Sequence, residues 1–223
     1  MASAVCRVVA RAAPLRRARP VARRSRTARN ACHLTLSLAG LGPDTAPVGV
    51  RTYLVEGVSG TGKTSVRREL HRRGYQAVNG DRELAYQGDP ETGQALATAV
   101  HEHHLWDVHR VRELAADQRE PLTFFCGGSR NFTTFIDLFD EVFVLDVDLD
   151  TLHRRLDQRP QGEWGSRPSE RDLIVRLHRT REDIPGAGVV IDATPPLTEV
   201  VDEILRHTGL TNADAGRQRT IAR

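Results

Sequence analysis

Five short runs of apolar, β-branched and aromatic residues recur between positions 52 and 192. They cover residues 52–56, 75–78, 122–126, 141–147 and 189–192. Each has strand length, and stretches with helical character separate them, so the pattern predicts β-strands alternating with helices. The run Leu122-Thr123-Phe124-Phe125-Cys126 has almost no polar interruption, which suits a strand covered on both faces of a parallel sheet. The first intervening helix is expected to stop near Arg73, before Gly74. Residues 84–93 hold Gly88, Pro90 and Gly93 and read as a loop. A long helix is predicted over residues 94–118, with its apolar stripe at Leu96, Val100, Leu105, Val108, Val111 and Leu114. Asp148 is placed to cap a helix carrying Leu149, Leu152 and Leu156. Residues 160–168 are too polar and glycine-rich for core and read as a flap bearing Trp164 and Arg167. Helices are expected again over residues 170–181 and 196–206, and residues from 209 on are a polar tail.

Between the first strand and the first helix lies Gly57-Val58-Ser59-Gly60-Thr61-Gly62-Lys63-Thr64, a complete GxxxxGK[ST] pattern. Strand, loop and helix in that order is the setting in which this pattern binds phosphate. The glycines let successive N–H groups, through Ser65 at the helix start, face one anion. Lys63 is then expected at the β- and γ-phosphates of ATP, and the Thr64 hydroxyl on Mg2+. Lys63 is also the only lysine in a chain whose other cationic side chains, histidine aside, are all arginine. A compact ammonium fits between phosphates where a planar guanidinium does not, so this is the position where arginine cannot substitute.

If the strands form a parallel sheet of βα units, their C-terminal ends open onto one crevice. That places Asp81 and Arg82, which follow the second strand, and Gly127, Gly128 and Arg130, which follow the third, opposite the phosphate loop. Paired glycines allow a ligand close to the backbone, and Arg130 offers a fork for phosphate or carboxylate. Cys126 has no base beside it in sequence and reads as a small buried residue. His101, His103, His104 and His109 do not have metal-ligand spacing, because Leu105 stands where HExxH needs its second histidine. They are expected on a solvated or partner-facing helix.

The whole chain's formal charge of +3 conceals two halves. Residues 1–49 hold nine arginines and a single acid, Asp44, which makes them +8 and leaves −5 on the remainder. The body thus gives no electrostatic case for nucleic-acid binding. The head is expected to be disordered. It has the composition of a transit peptide, and a nucleic-acid-binding arm would lack its interleaved aromatics; the favoured reading is a start assigned too early in an arginine-biased genome, with translation beginning near Val48 or Val50. Three cysteines, two of them in the head, make no disulfide framework, and a cytoplasmic location is expected unless the head is a real transit peptide. No apolar run approaches the roughly 18 residues of a membrane span. Nothing in the pattern sets an oligomeric state.

Over about residues 50–208 the chain resembles the small P-loop kinases of the adenylate kinase, shikimate kinase and nucleoside kinase group. The resemblance implies a three-layer α/β sandwich: a five-stranded parallel sheet, helices on both faces and a short lid. The family's R-L-x-x-R pattern matches Arg155-Leu156-Asp157-Gln158-Arg159. By resemblance Arg155 lies against the adenine or its phosphates, Arg159 lies on the phosphates, Arg167 is a lid arginine, and residues 192–196 line the adenine pocket. Asp81 matches a carboxylate that orients the acceptor hydroxyl and holds a magnesium-bound water. Gly127, Gly128 and Arg130 match the loop that grips the acceptor. The chain departs from the group at Cys126, where several members carry aspartate, which leaves Asp81, Asp146 or neither to support the metal. The implied activity is transfer of the γ-phosphoryl of MgATP to a small hydroxyl acceptor such as a nucleoside. A nucleoside monophosphate acceptor, a nucleotide-binding regulatory module, and a kinase of RNA ends or protein are the alternatives.

Overall fold

A computed structural model describes residues 50–98 and 100–209. The basic head expected over residues 1–49 and the tail beyond residue 209 lie outside the described residues. Five parallel strands form the central sheet: β1 (Arg51–Glu56), β2 (Gln76–Asn79), β5 (Leu122–Cys126), β6 (Glu141–Asp146) and β7 (Val189–Asp192), in the order β2-β5-β1-β6-β7. β1 lies between β5 and β6, with Val55 opposite both Cys126 and Phe143. The three central strands are buried almost end to end, as a sheet covered on both faces requires. α1 (Lys63–Arg72) packs against α6 (Leu197–His207) on one face. Right-handed crossovers put α3 (Val108–Ala115), α4 (Leu149–Asp157) and α5 (Pro168–Thr180) on the other. Because β1 is central and its neighbours connect in opposite directions, the crevice above its C-terminal end is where a ligand fits this fold. Among the described residues no helix is long and apolar enough to cross a membrane.

The strand assignments agree with the sequence pattern to within one or two residues, whereas the region between β2 and β5 does not. The expected helix over residues 94–118 is absent. In its place a one-turn 3-10 helix, His101–His103, leads into β4 (His104–Trp106), and α3 follows. β4 pairs antiparallel with β3 (Ala85–Gln87), which occupies part of the expected 84–93 loop. The turn between them is built on Asp89, whose Oδ1 accepts from the N–H groups of Glu91 and Thr92 and from the Thr92 hydroxyl. Leu96 and Val100, the first members of the supposed stripe, are exposed, while Leu105 and Trp106 are both buried. Helix propensity in Ala95-Leu96-Ala97 yields here to tertiary packing. The helix that does form starts where Asp107 caps it, accepting from Arg110 N–H at 3.1 Å. The flap is also shorter than expected, since Pro168 opens α5 as its first residue.

One packing contact fixes the approach to the crevice. Gly80 begins α2 (Gly80–Glu83), and a Cβ there would lie 2.6 Å from Trp106 Cε2. The Trp106 ring is fully buried and stacks on Phe135 at 5.6 Å, so it cannot swing aside. Gly80→Ala is therefore expected to cost about 2–3 kcal/mol and lower the melting temperature by roughly 5–10 °C in a thermal melt. A variant melting with the wild type would show that the indole is not held against this turn.

Candidate active site

The chain leaves β1 through a loop whose carbonyls and amides are turned by glycine. Gly57 has φ +144°, and a Cβ on it would sit 2.5 Å from the Leu145 carbonyl oxygen. Gly62, at φ +111°, is the N-cap of α1 and brings no side chain to its first amides. With no acidic residue in the first turn either, the N-terminus of α1 presents open N–H donors and its positive dipole end. Lys63 folds over the loop, donating to the carbonyls of Gly57 and, at 3.2 Å, Val58. Burial pushes its pKa down, opposed by the carboxylates of Asp81 and Glu56. Gly62, Lys63 and Asp81, with Thr64, Ser65, Arg155, Arg159, Pro195 and Leu197, line a cavity of about 430 Å³.

Arg155 ties this cavity together. Its Nη1 donates to the Thr61 carbonyl at 2.9 Å and its Nη2 to the Ala193 carbonyl at 2.7 Å, joining the phosphate loop to the segment after β7. Arg159 lines the same cavity and donates to the carbonyl of Trp164, so it anchors the flap to the end of α4. Arg167 stands elsewhere: its side chain is 78% exposed at the start of α5 and lines neither this cavity nor the next.

A second cavity, of about 350 Å³, opens on the other side of Lys63 and is lined by Asp81, His101, His104, Gly128, Arg130 and Asp183 among others. Asp81 sits on α2, where its Oδ1 accepts from Gly128 N–H at 3.1 Å and lies 3.3 Å from His104 Nε2. Gly127 is kept small by the same carboxylate, since a Cβ would lie 2.8 Å from that oxygen. Burial raises the Asp81 pKa, but the His104 hydrogen bond, the Lys63 charge and the Gly128 N–H together hold it below the ordinary aspartate value. Arg82, expected opposite the phosphate loop, is exposed and lines neither cavity. Asp146 is paired with Arg181 at 2.7 Å and also lines neither, so of the two carboxylates weighed for the metal only Asp81 borders the cleft. Cys126 is buried and its thiol is pushed far up by desolvation, which leaves it unreactive.

Several residues here were not foreseen as site residues. Glu56 ends β1 with a side chain 1% exposed, its Oε1 accepting from Ser129 N–H at 3.3 Å and lying 3.7 Å from Arg130 Nη2. An acid closing an apolar strand beside the phosphate loop was a visible signal. His101 lies 2.7 Å from Asp183 Oδ2 and stacks on Trp164 of the flap at 5.8 Å. His101 and His104 therefore face the cleft, not the solvent or a partner; His103 and His109 line neither cavity. Asp183 carried no signal, being brought in from the loop after α5.

Burial raises the Glu56 carboxyl to about 8, against the pull of Arg130 and Lys63. A carboxyl raised on folding contributes stability that is full below its unfolded value, near 4.5, and is lost as pH climbs through about 8. Lys63, with its pKa lowered on folding, works in the opposite sense at more alkaline pH. Glu56→Gln is isosteric and cannot ionise. Its melting temperature relative to wild type should rise steadily from pH 5 to pH 8.5, and a pH-independent difference would mean Glu56 is ionised throughout.

A wider groove of about 740 Å³, bordered by His153, Arg171, Arg176 and Arg179, shares no residue with the phosphate loop. Arg171 and Arg176 are paired there with Asp157 and Glu182, and the groove brings no reactive group to the cleft.

No protein-family model and no curated protein matches the chain. Among solved structures it is similar to small P-loop kinases. These include a gluconokinase from Sinorhizobium meliloti 1021, 24% identical with a TM-score of 0.43 over 69% of this chain and 88% of that one. A shikimate kinase from Bacteroides thetaiotaomicron is 16% identical, TM-score 0.44, over 72% and 99%. A deoxyadenosine kinase from M. mycoides, solved with bound dATP, is 14% identical, TM-score 0.45, over 71% and 99%.

Proposed function

We propose that the protein is an ATP-dependent kinase that transfers the γ-phosphoryl group of MgATP to the hydroxyl of a small acceptor, a nucleoside or another hydroxyl compound. The observation that carries this reading is that two cavities on opposite sides of the phosphate loop share Ser59, Lys63 and Asp81. A donor and an acceptor held one in each would meet at an ammonium and a carboxylate, the two groups phosphoryl transfer to a hydroxyl needs. The larger cavity suits a nucleotide because open α1 amides, Lys63 and the loop glycines converge on one point, and Arg155 and Arg159 border it. MgATP bound there supplies the phosphoryl group and the metal charge that neutralises it. Thr64, exposed in the first turn of α1, would ligate the metal. Asp81, kept ionised by His104 and Gly128, would accept the hydrogen bond of the attacking hydroxyl and take its proton.

The test is ADP production from MgATP by the full chain over a panel of nucleosides, nucleoside monophosphates, polyols and sugar acids. Stimulation by one class is expected. Tight ATP binding with turnover unchanged across the panel would instead mark a nucleotide-binding regulatory module.

A further inference from the structure

Four basic side chains border the acceptor cavity, Lys63, His101, His104 and Arg130, and each is already engaged. Lys63 lies on the loop carbonyls, where phosphates would meet it. His104 is held by Asp81 and His101 by Asp183. Arg130 is the most enclosed, with a side chain 13% exposed. Its Nη1 donates to the Asp183 backbone carbonyl at 2.7 Å and pairs with the Asp183 carboxylate, and its Nη2 faces Glu56. A guanidinium whose Nη atoms are both taken up, by Asp183 and by Glu56, has no free fork to offer an anion. Asp81, by contrast, keeps 41% of its side chain exposed in the same cavity. Asp183 Oδ1, Glu56 Oε2 and Arg130 Nε are buried without a hydrogen-bond partner among the described residues. The carboxylates bordering the cavity, Asp81 and Asp183, thus hold both of its histidines, and Asp183 and Glu56 occupy both ends of the Arg130 fork, so no cation other than Lys63 is open to an anionic acceptor.

We infer that the acceptor is an uncharged or cationic hydroxyl compound, and that Asp183 sets this specificity by withholding Arg130 from carboxylate- or phosphate-bearing acceptors. The word acceptor rests on the kinase reading above, while the rejection of anions by this cavity does not. Removing the Asp183 charge without changing its shape should free the Arg130 fork and admit anions.

The experiment uses the full chain saturated with MgADP, so that the phosphate loop is filled, and titrates inorganic phosphate by calorimetry. Asp183→Asn is expected to bind phosphate at least tenfold more tightly than wild type, and Asp183→Asn with Arg130→Met to lose that gain. Asp183→Ser, checked by thermal melt, replaces the asparagine variant if the latter does not fold. Wild type binding phosphate as tightly as the variant, or a variant that gains nothing, overturns the inference. In parallel, wild-type turnover is measured with sorbitol and with gluconate, which differ in a carboxylate. Turnover stimulated by gluconate in preference to sorbitol also overturns the charge inference and leaves the kinase reading standing. No turnover with any acceptor, together with phosphate binding gained in Asp183→Asn, removes the kinase reading and leaves the charge inference standing.

Discussion

Lys63→Ala is expected to lower acceptor-stimulated ADP production by at least about 10³-fold, roughly 4 kcal/mol of transition-state stabilisation, with little change in melting temperature. Both halves of this expectation come from the position of one ammonium. It borders both cavities, so on the kinase proposal it would meet both the transferred phosphoryl group and the attacking hydroxyl. It is also a charge that burial disfavours, with a lowered pKa, so its loss relieves a desolvation cost that partly offsets the lost contacts to Gly57 and Val58. Lys63→Arg should be nearly as inactive, because a planar guanidinium cannot replace a point charge folded over the loop. Steady-state kinetics beside a thermal melt decides the matter. A folded alanine variant with more than a tenth of wild-type turnover would remove Lys63 from the chemistry.

Asp81→Asn should reduce kcat by about 10²–10⁴-fold, the range of a lost general base, with MgATP affinity kept within a few-fold. The asparagine preserves the bond from Gly128 N–H yet cannot take a proton. The pH profile adds an independent signature. Because the Asp81 pKa is held down, its carboxylate stays ionised through the weakly acid range, and the limb it sets in kcat/KM should lie below the ordinary aspartate value. A wild-type limb near pH 6 that survives in Asp81→Asn would assign the base to another group.

What could be read ahead of the structure was whatever is local in the chain. The phosphate loop is eight consecutive residues with its strand and helix attached, and the five strands announce themselves because a doubly covered sheet needs continuous apolar runs such as 122–126. Arg155 and Arg159 were singled out only by the resemblance of Arg155-Leu156-Asp157-Gln158-Arg159 to the R-L-x-x-R pattern, and both border the phosphate-loop cavity. The acceptor side was less legible. Residues 94–118 have helix-forming composition, but the buried pair Leu105 and Trp106 is satisfied by a hairpin with Ala85 and Tyr86, a pairing no local pattern records. That hairpin is what turns His101 and His104 inward. Asp183 reaches Arg130 across 53 residues of sequence, and only the return of the chain after α5 makes them neighbours. Arg167 and Arg82 stand next to the site in sequence, but Arg167, at the N-cap of α5, and Arg82, on α2, are exposed and line neither cavity.

The most direct measurement is 31P NMR of the full chain turning over MgATP in the presence of the acceptor that most stimulates ADP release. Loss of the γ-phosphorus signal is expected to be matched by a new phosphomonoester resonance on that acceptor, absent with Lys63→Ala. Growth of inorganic phosphate alone, with no phosphorylated acceptor, would contradict the proposed phosphoryl transfer.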